Sequence, residues 1–343
     1  MTSVTTPIED RAHVDLDRRR LLRYTCGAAV TALALPIGAQ AESYPRKAVR
    51  LVVPFPAGGS SDTAARIVAK GLTQTLGQSF VVENRAGAAG TIGVASVIRS
   101  AHDGYTLGEG PVGATIIAKL IGLPVPYDPV KDIIPISNMG SLPLVFAVKA
   151  ALPVHSLADL VALAKAKPGK LSYGTSGAGT PGHLVFEYFK KLAGIRVAHV
   201  PYKGDAPLTT DLLGGQLEIG ILTGPAAVAQ AKGGKLKYLA VTSQARYPQL
   251  ADIPTLIESG YHDFSIEIWN LLIAPPGTPE AILVTLNSAM NTVLKRSDTQ
   301  AALRAQGYLP PALMSPTQAR DFVARDRARW ETIVKTTGVH VGA

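Results

Sequence analysis

The 343-residue chain predicts an α/β fold in two lobes, and three observations carry that expectation. Short apolar runs alternate with helical patterns along most of the length, as parallel strands joined by crossover helices do. A strand, a loop of glycines and hydroxyls, and a helix occur in that order twice, once in each half. Beyond residue 279 only helical patterns follow, and helices alone cannot build another sheet.

Residues 1–41 read as an export signal. Asp17-Arg-Arg-Arg-Leu-Leu-Arg23 precedes the apolar run Tyr24 to Gly38, and Ala39-Gln-Ala41 supplies an A-x-A cleavage site. The run is too short for a membrane span. Its paired arginines suit a twin-arginine signal and equally a Sec signal with extra arginines, so the export route stays open. Cys26, the single cysteine, lies inside the run without a lipobox, and no lipid anchor is expected. Cleavage leaves about 300 residues, enough for two domains with a substantial core. That product has no cysteine, which excludes disulfides and thiol catalysis.

The net charge is +9, but Lys and Arg are scattered, with no runs among interleaved aromatics. A nucleic-acid partner is not expected. Such a dispersed field serves solubility and at most steers anionic solutes.

In chain order, Val49–Phe55, Phe80–Glu83, Leu171–Thr175, Val197–Tyr202, Ile219–Thr223 and Tyr238–Thr242 have the continuous apolar character of strands buried on both faces. The spacing predicts helices over Thr63–Leu76, Thr91–Ser100, Leu157–Lys165, His183–Leu192 and Pro207–Leu213. Leu142–Val148, after a loop over Tyr127–Asn138, opens a second βα series, and Phe264–Ala274 closes it. Helices Pro279–Lys295, Thr299–Gln306 and Pro316–Lys335 then return to the first series. Thr180-Pro181, Thr278-Pro279 and Ser315-Pro316 each place a hydroxyl at N-cap and a proline at the first helical position. Ser315-Pro-Thr-Gln318 adds a capping box. The division predicted is 42–145 with 258–343 as a discontinuous domain 1, and 146–257 as domain 2.

The repeated loops are Pro56-Ala-Gly-Gly-Ser-Ser-Asp62 and Ser176-Gly-Ala-Gly-Thr-Pro-Gly-His183. At a helix start such a loop exposes backbone N–H groups and favours an anion without a charged side chain. Two of them suggest a small carboxylate gripped between the lobes. Gly177-Ala-Gly-Thr-Pro-Gly182 also matches the dinucleotide fingerprint, with Asp205 after the next strand. The export signal, the mid-chain position and the hydroxyls Thr175, Ser176 and Thr180 favour a small ligand instead. No cofactor is expected.

Enzymatic signatures are missing. Gly174-Thr-Ser-Gly-Ala178 lacks the last glycine of a nucleophile elbow, and no metal-ligand spacing occurs. His183 reads as a capping or packing residue. Asp62 suits the first turn of its helix. Asp205 either accepts a ligand ammonium or caps its helix; Glu267, Trp269 and Asn270 could reach the interlobe cleft, with Trp269 equally suited to the core.

Phe55-Pro-Ala-Gly-Gly-Ser-Ser-Asp62, Val82-Glu-Asn-Arg-Ala-Gly87 with Gly90-Thr-Ile-Gly93, and Asp103-Gly-Tyr-Thr-Leu107 resemble the periplasmic solute-binding proteins of tripartite tricarboxylate transporters, the Bug/TctC type. Tyr127-Asp-Pro-Val-Lys-Asp132, Tyr173–Thr180, His199–Gly204, Asp211–Gln216 and Ala274–Pro279 extend the resemblance over nearly all of 44–340. It implies a type II periplasmic-binding-protein fold, two α/β lobes joined by a two-strand hinge. It further implies a monomeric, non-enzymatic receptor for a small organic acid, amino and aromatic acids included, that serves integral membrane permease subunits. A periplasmic sensor for a signalling partner, or an exported α/β enzyme, are the alternatives.

Carried over by position, Pro56, Ala57, Gly58, Gly59 and Ser60 would hold one carboxylate. Ser176, Gly177, Ala178, Gly179 and Thr180 would present the second set of helix-start donors, and Tyr202, Lys203, Gly204 and Asp205 would close the cleft. Gly108-Glu-Gly-Pro-Val-Gly-Ala114 departs from the family pattern. A carboxylate at Glu109 facing the cleft would repel a second ligand anion; one facing solvent would not.

Overall fold

The computed structural model describes residues 1–3, 44–309 and 311–341. The export signal expected over 1–41 falls almost entirely outside the described residues. Among the described residues no helix is long and apolar enough to cross a membrane.

The first series runs β1 (Val49–Val53), α1 (Ser60–Leu76), β2 (Phe80–Asn84), α2 (Thr91–Ile98), β3 (Thr106–Pro111) and the short α3 (Ala118–Leu120). β1 pairs in parallel with β2 on one side and β3 on the other. α1 buries Ala64, Ala65, Val68 and Leu72, small and branched residues at helical spacing. It stops at Gly77, whose φ of 72° suits the left-handed cap and whose N–H bonds Thr73 O.

β4 (Ile134–Lys149) is the long element, 16 residues, almost all buried. The second series follows: α4 (Leu157–Ala166), β5 (Ser172–Thr175), α5 (Pro181–Ala193), β6 (Ala198–Pro201), α6 (Asp205–Leu213), β7 (Ile219–Thr223), α7 (Gly224–Gln230) and β8 (Leu236–Val241). β5 pairs in parallel with β6 and β7. The return strand β9 (Glu267–Ala274) leads to α8 (Glu280–Lys295), α9 (Ser297–Ala305) and α10 (Pro316–Thr337).

Strand order explains the two-lobed architecture. β9 runs antiparallel to β3 and to residues 134–143 of β4. From Leu144 onward the same β4 strand pairs antiparallel with β7 and β8. One strand therefore belongs to both halves of the sheet, and β9 brings the chain back. The sequence reading placed a loop over Tyr127–Asn138, whereas strand begins at Ile134. Pro135 and the polar Ser137 and Asn138 masked it.

α8 and α9 lie on α1, and Gly71 of α1 faces Val293 of α8 with no room for a β-carbon. α10 packs against α5 and β4. Its Trp330, fully buried, belongs to the same apolar cluster as Phe146, Phe186 and Phe189. The Ser315–Gln318 capping box forms in both directions. Thr278 differs from expectation: Pro279 is the N-cap and Thr278 Oγ1 donates instead to Pro275 O at 2.8 Å.

Candidate functional site

The first loop is exposed from Pro56 to Ser60 and is held from beneath by Asp62. Asp62 Oδ2 accepts Gly58 N–H at 3.0 Å and Arg66 Nε at 2.9 Å, while Oδ1 accepts Asn84 Nδ2 at 2.9 Å. Asn84 Nδ2 also donates to Phe55 O at 3.0 Å. The Arg66 guanidinium holds the Asp62 carboxyl at about 2, and the Gly58 amide and Asn84 help against the opposing effect of burial. Gly58, at φ 83°, takes the turn that lets its amide reach this carboxylate. The Gly58 amide is thus spent on the scaffold. The first-turn amides of α1 have no acceptor within the helix and face the loop.

Behind this helix start lies a buried polar group. Glu109 on β3 is fully buried, and neither carboxylate oxygen has a hydrogen-bond partner. Burial pushes its carboxyl up to about 8; the Ser61 hydroxyl opposes the rise and the Asp62 charge adds to it. Asn270 Nδ2 on β9 donates to Tyr308 Oη at 3.1 Å and approaches Ser61 Oγ at 3.4 Å. Tyr308 fits there because Gly140 of β4 leaves space for its ring.

The second loop is closed on itself more than the sequence suggests. Thr180, the N-cap of α5, donates its hydroxyl to Gly177 O at 2.8 Å rather than to the helix. Gly179 N–H donates to His183 Nδ1 at 3.1 Å. His183 is therefore a cap, as one of its two sequence readings had it. Thr175 Oγ1 donates to Gly177 O at 3.0 Å and lies 2.8 Å from His199 Nε2. Tyr173 Oη donates to Glu187, which also accepts Lys190 Nζ at 2.7 Å. Burial depresses both imidazoles, His199 to about 4, so both are neutral near pH 7.

The third junction is tied to the second. Tyr202 N–H donates to Thr175 O at 2.9 Å and Gly204 N–H to Ser176 O at 3.1 Å. Tyr202 Oη donates to Asp211 at 2.8 Å, so its hydroxyl is occupied, and burial carries its pKa to about 12. Lys203 is exposed. Asp205 Oδ2 accepts Thr223 Oγ1 at 2.7 Å, while Oδ1 is buried without a partner and burial raises the carboxyl.

The structure thus brings residues 175–180 together with 202–205, and gathers 56–62 with Asn84, Glu109, Asn270 and Tyr308. The lobes meet near Gly179, where an added β-carbon would strike Ile121 and approach Val341. Trp269 belongs to the core: it is 2% exposed and donates Nε1 to Asp326. Sequence reasoning named Asn270 as a residue that could reach the cleft, but missed His199 and Tyr308. Both lie away along the chain from the loops they support, and only the fold shows the neighbourhood. Among the described residues no group of His, Cys, Asp or Glu is placed to hold a metal ion.

A split α/β sheet with crossing strands and helix-start loops on either side is the architecture of two-lobed periplasmic binding proteins. Comparison with known proteins is narrower. The chain matches the tripartite tricarboxylate transporter family receptor, TctC, over residues 64–339, and it belongs to that family. It is 37% identical over 311 residues to BugT of Bordetella pertussis, covering 90% of this chain and 94% of that protein. A Rhodopseudomonas palustris protein solved with adipate superposes with a TM-score of 0.78 at 37% identity, over 87% of this chain and 99% of the other. MatC from Rhodopseudomonas palustris, with bound malate, gives 0.74 at 30% identity, over 85% and 100%. Sulphonate-binding SsuA of Escherichia coli, at 14% identity and a TM-score of 0.53, shares the fold alone.

Proposed function

We propose that this chain is an exported receptor that captures a small organic acid between its lobes and presents it to the permease subunits of a tripartite membrane transporter. The observation that carries this reading is the pair of glycine- and hydroxyl-rich loops opening α1 and α5, on opposite sides of the crossing strands. Backbone donors at a helix start favour an anion. Relatives of the same family are seen with adipate and with malate.

Within this reading, domain 1 comprises 42–145 and 258–343 and domain 2 comprises 146–257, with the crossing at β4 and at the approach to β9. The loop 56–60 serves the ligand from domain 1. The amides of Ser176 and Ala178 and the junction 202–205 serve it from domain 2, while Gly177, Gly179 and Thr180 shape their loop through the bonds to Thr175, His183 and Gly177 O. Closure of the lobes over the ligand would give the permease a composite surface.

A thermal-shift screen of small mono- and dicarboxylates tests the reading, since a ligand that binds only the native state raises the melting temperature. At least one acid should raise it. Replacing Ser176 with Ala should weaken that acid by about 1 kcal/mol, the usual worth of one lost hydrogen bond. A screen in which no acid shifts the transition would reject the proposal.

A further inference from the structure

Two carboxyl groups flanking the crossing strands are buried with oxygens that receive no donor. Glu109 lies on β3, where Pro111 is paired with Asn270, and Asn270 in turn with Gly140 of β4. Asp205 is bonded to Thr223, which pairs with Leu144, four residues further along β4. Both oxygens of Glu109 and Oδ1 of Asp205 are without partners. Buried polar atoms in folded proteins are nearly always satisfied, so each orphan asks for an explanation.

The groups facing Glu109 come from Ser61 and Asp62 on α1 and from Tyr308 beyond α9. No cation stands among these three. Arg66 is committed to Asp62, and Lys203 is exposed. Exposure falls from Ser60 through Ser61 to Glu109, which puts the carboxyl at the inner end of the first loop. A second ligand carboxylate driven into this corner would meet the Asp62 charge and could pair with Glu109 only while that carboxyl keeps its proton, at a cost in low dielectric. An ammonium would bring three donors and the opposite charge.

We propose that the ligand is a carboxylic acid that also bears a protonated amine, its carboxylate held by the loop amides and its ammonium received by Glu109. This rests on the carboxylate-receptor reading above and narrows it from organic acids to zwitterionic ones. Binding would convert Glu109 from the neutral acid to the carboxylate, so the acid proton leaves to solvent as the ammonium arrives.

Calorimetry of the intact folded chain with matched probes tests this: succinate against 3-aminopropanoate, glutarate against 4-aminobutanoate, and adipate against 5-aminopentanoate. Each pair differs only by an ammonium in place of one carboxylate. The amino acid of at least one pair should bind about ten-fold or more tighter than its diacid. With Glu109 titrating at about 8, its binding at pH 7 should release about one proton, read from the dependence of the heat on buffer ionisation enthalpy. Glu109→Gln should abolish the proton release and remove the preference for the amine.

Diacids binding more tightly than their amino partners in the wild-type chain, or amine binding without proton release, would overturn the inference and leave the carboxylate receptor standing. Absence of binding by every probe, acids and amino acids alike, would overturn both. The wild-type comparison decides the matter even if Glu109→Gln fails to fold.

Discussion

His183 and His199 lie face to face beneath the second loop, with ring centroids 4.0 Å apart and 9° between the planes. His199 is stacked in turn on Tyr173 at 4.8 Å. Each imidazole carries one end of the loop, His183 through the Gly179 amide and His199 through the Thr175 hydroxyl. Charging one ring would put a cation into a half-buried site, and charging both would place like charges in contact.

This stack should therefore contribute a loss of stability on the acid side of neutrality. Burial lowers His199 from 6.5 to about 4 and lowers His183 as well. In the window between those values the unfolded chain binds protons that the folded chain refuses, so the histidine contribution is intact above about pH 6.5 and is lost as pH drops toward 4. Because the raised Glu109 carboxyl gains stability over the same window, the loss is read as the change, from pH 7.5 to 4.5, in the denaturant-midpoint difference between the wild-type chain and His199→Gln. An unchanged slope in that variant would refute the assignment.

Asp62→Ala should loosen the first loop. The change removes an acceptor shared by Gly58, Arg66 and Asn84, at a cost of about 1 kcal/mol because these donors can turn to water. Ligand affinity should fall with it, because residues 56–60 lose their anchor. Urea titration gives the first quantity and calorimetry the second. In the wild-type chain the Asp62 contribution should persist down to about pH 4 and disappear toward pH 2, since its folded carboxyl titrates well below the unfolded value.

Asp326→Ala should behave differently. Asp326 Oδ2 accepts both indoles, Trp269 Nε1 at 2.6 Å and Trp330 Nε1 at 2.9 Å. Removing it strands two buried N–H groups, a loss of about 2–4 kcal/mol in stability. Affinity for the ligand should stay within about two-fold, because this node lies in the core under α10. A large loss of affinity in folded protein would show that α10 shapes the cleft.

Gly93→Ala tests the close approach of α2 to the strand end. A β-carbon there would lie 2.7 Å from Pro54 Cα and 2.9 Å from Arg85 O, both parts of the backbone, so the helix must shift. A destabilisation of about 1–3 kcal/mol is expected, visible as a lower melting temperature. A neutral result would mean that the helix is free to move away from β1.

Much of the architecture is written in local patterns. Strands β1 and β7 are apolar runs with nearly every residue buried, whereas β2 and β6, at the two ends of the sheet, are half-exposed; α1, α5, α8 and α10 carry amphipathic spacing with identifiable ends. β3 was harder, because Gly108, Glu109, Gly110 and Pro111 have neither strand propensity nor alternation. They are strand because Val97, Thr115 and Ile273 close on the glycines. Helix α7 was missed, since Gly224-Pro-Ala-Ala reads as a turn. At the site, the glycine loops are visible in sequence because their chemistry is consecutive. Which of their donors are already spent is not, because Gly58, Gly179 and Thr180 are claimed by partners that only the folded backbone brings near.

The 16-residue β4 strand has a mechanical corollary. Its ladder to β9 slips register between Pro135 and Ser137 and between Asn138 and Gly140, and its ladder to β8 slips between Phe146 and Ala147. Residues 141–145 lie between these irregularities, clamped to β9 over 141–143 and to β7 from Leu144 onward. Any rocking of one lobe against the other must then be taken up as torsion at the slipped positions, with the clamped segment turning as a rigid axle. Stiffening Gly140 would be felt by both ends of the molecule at once.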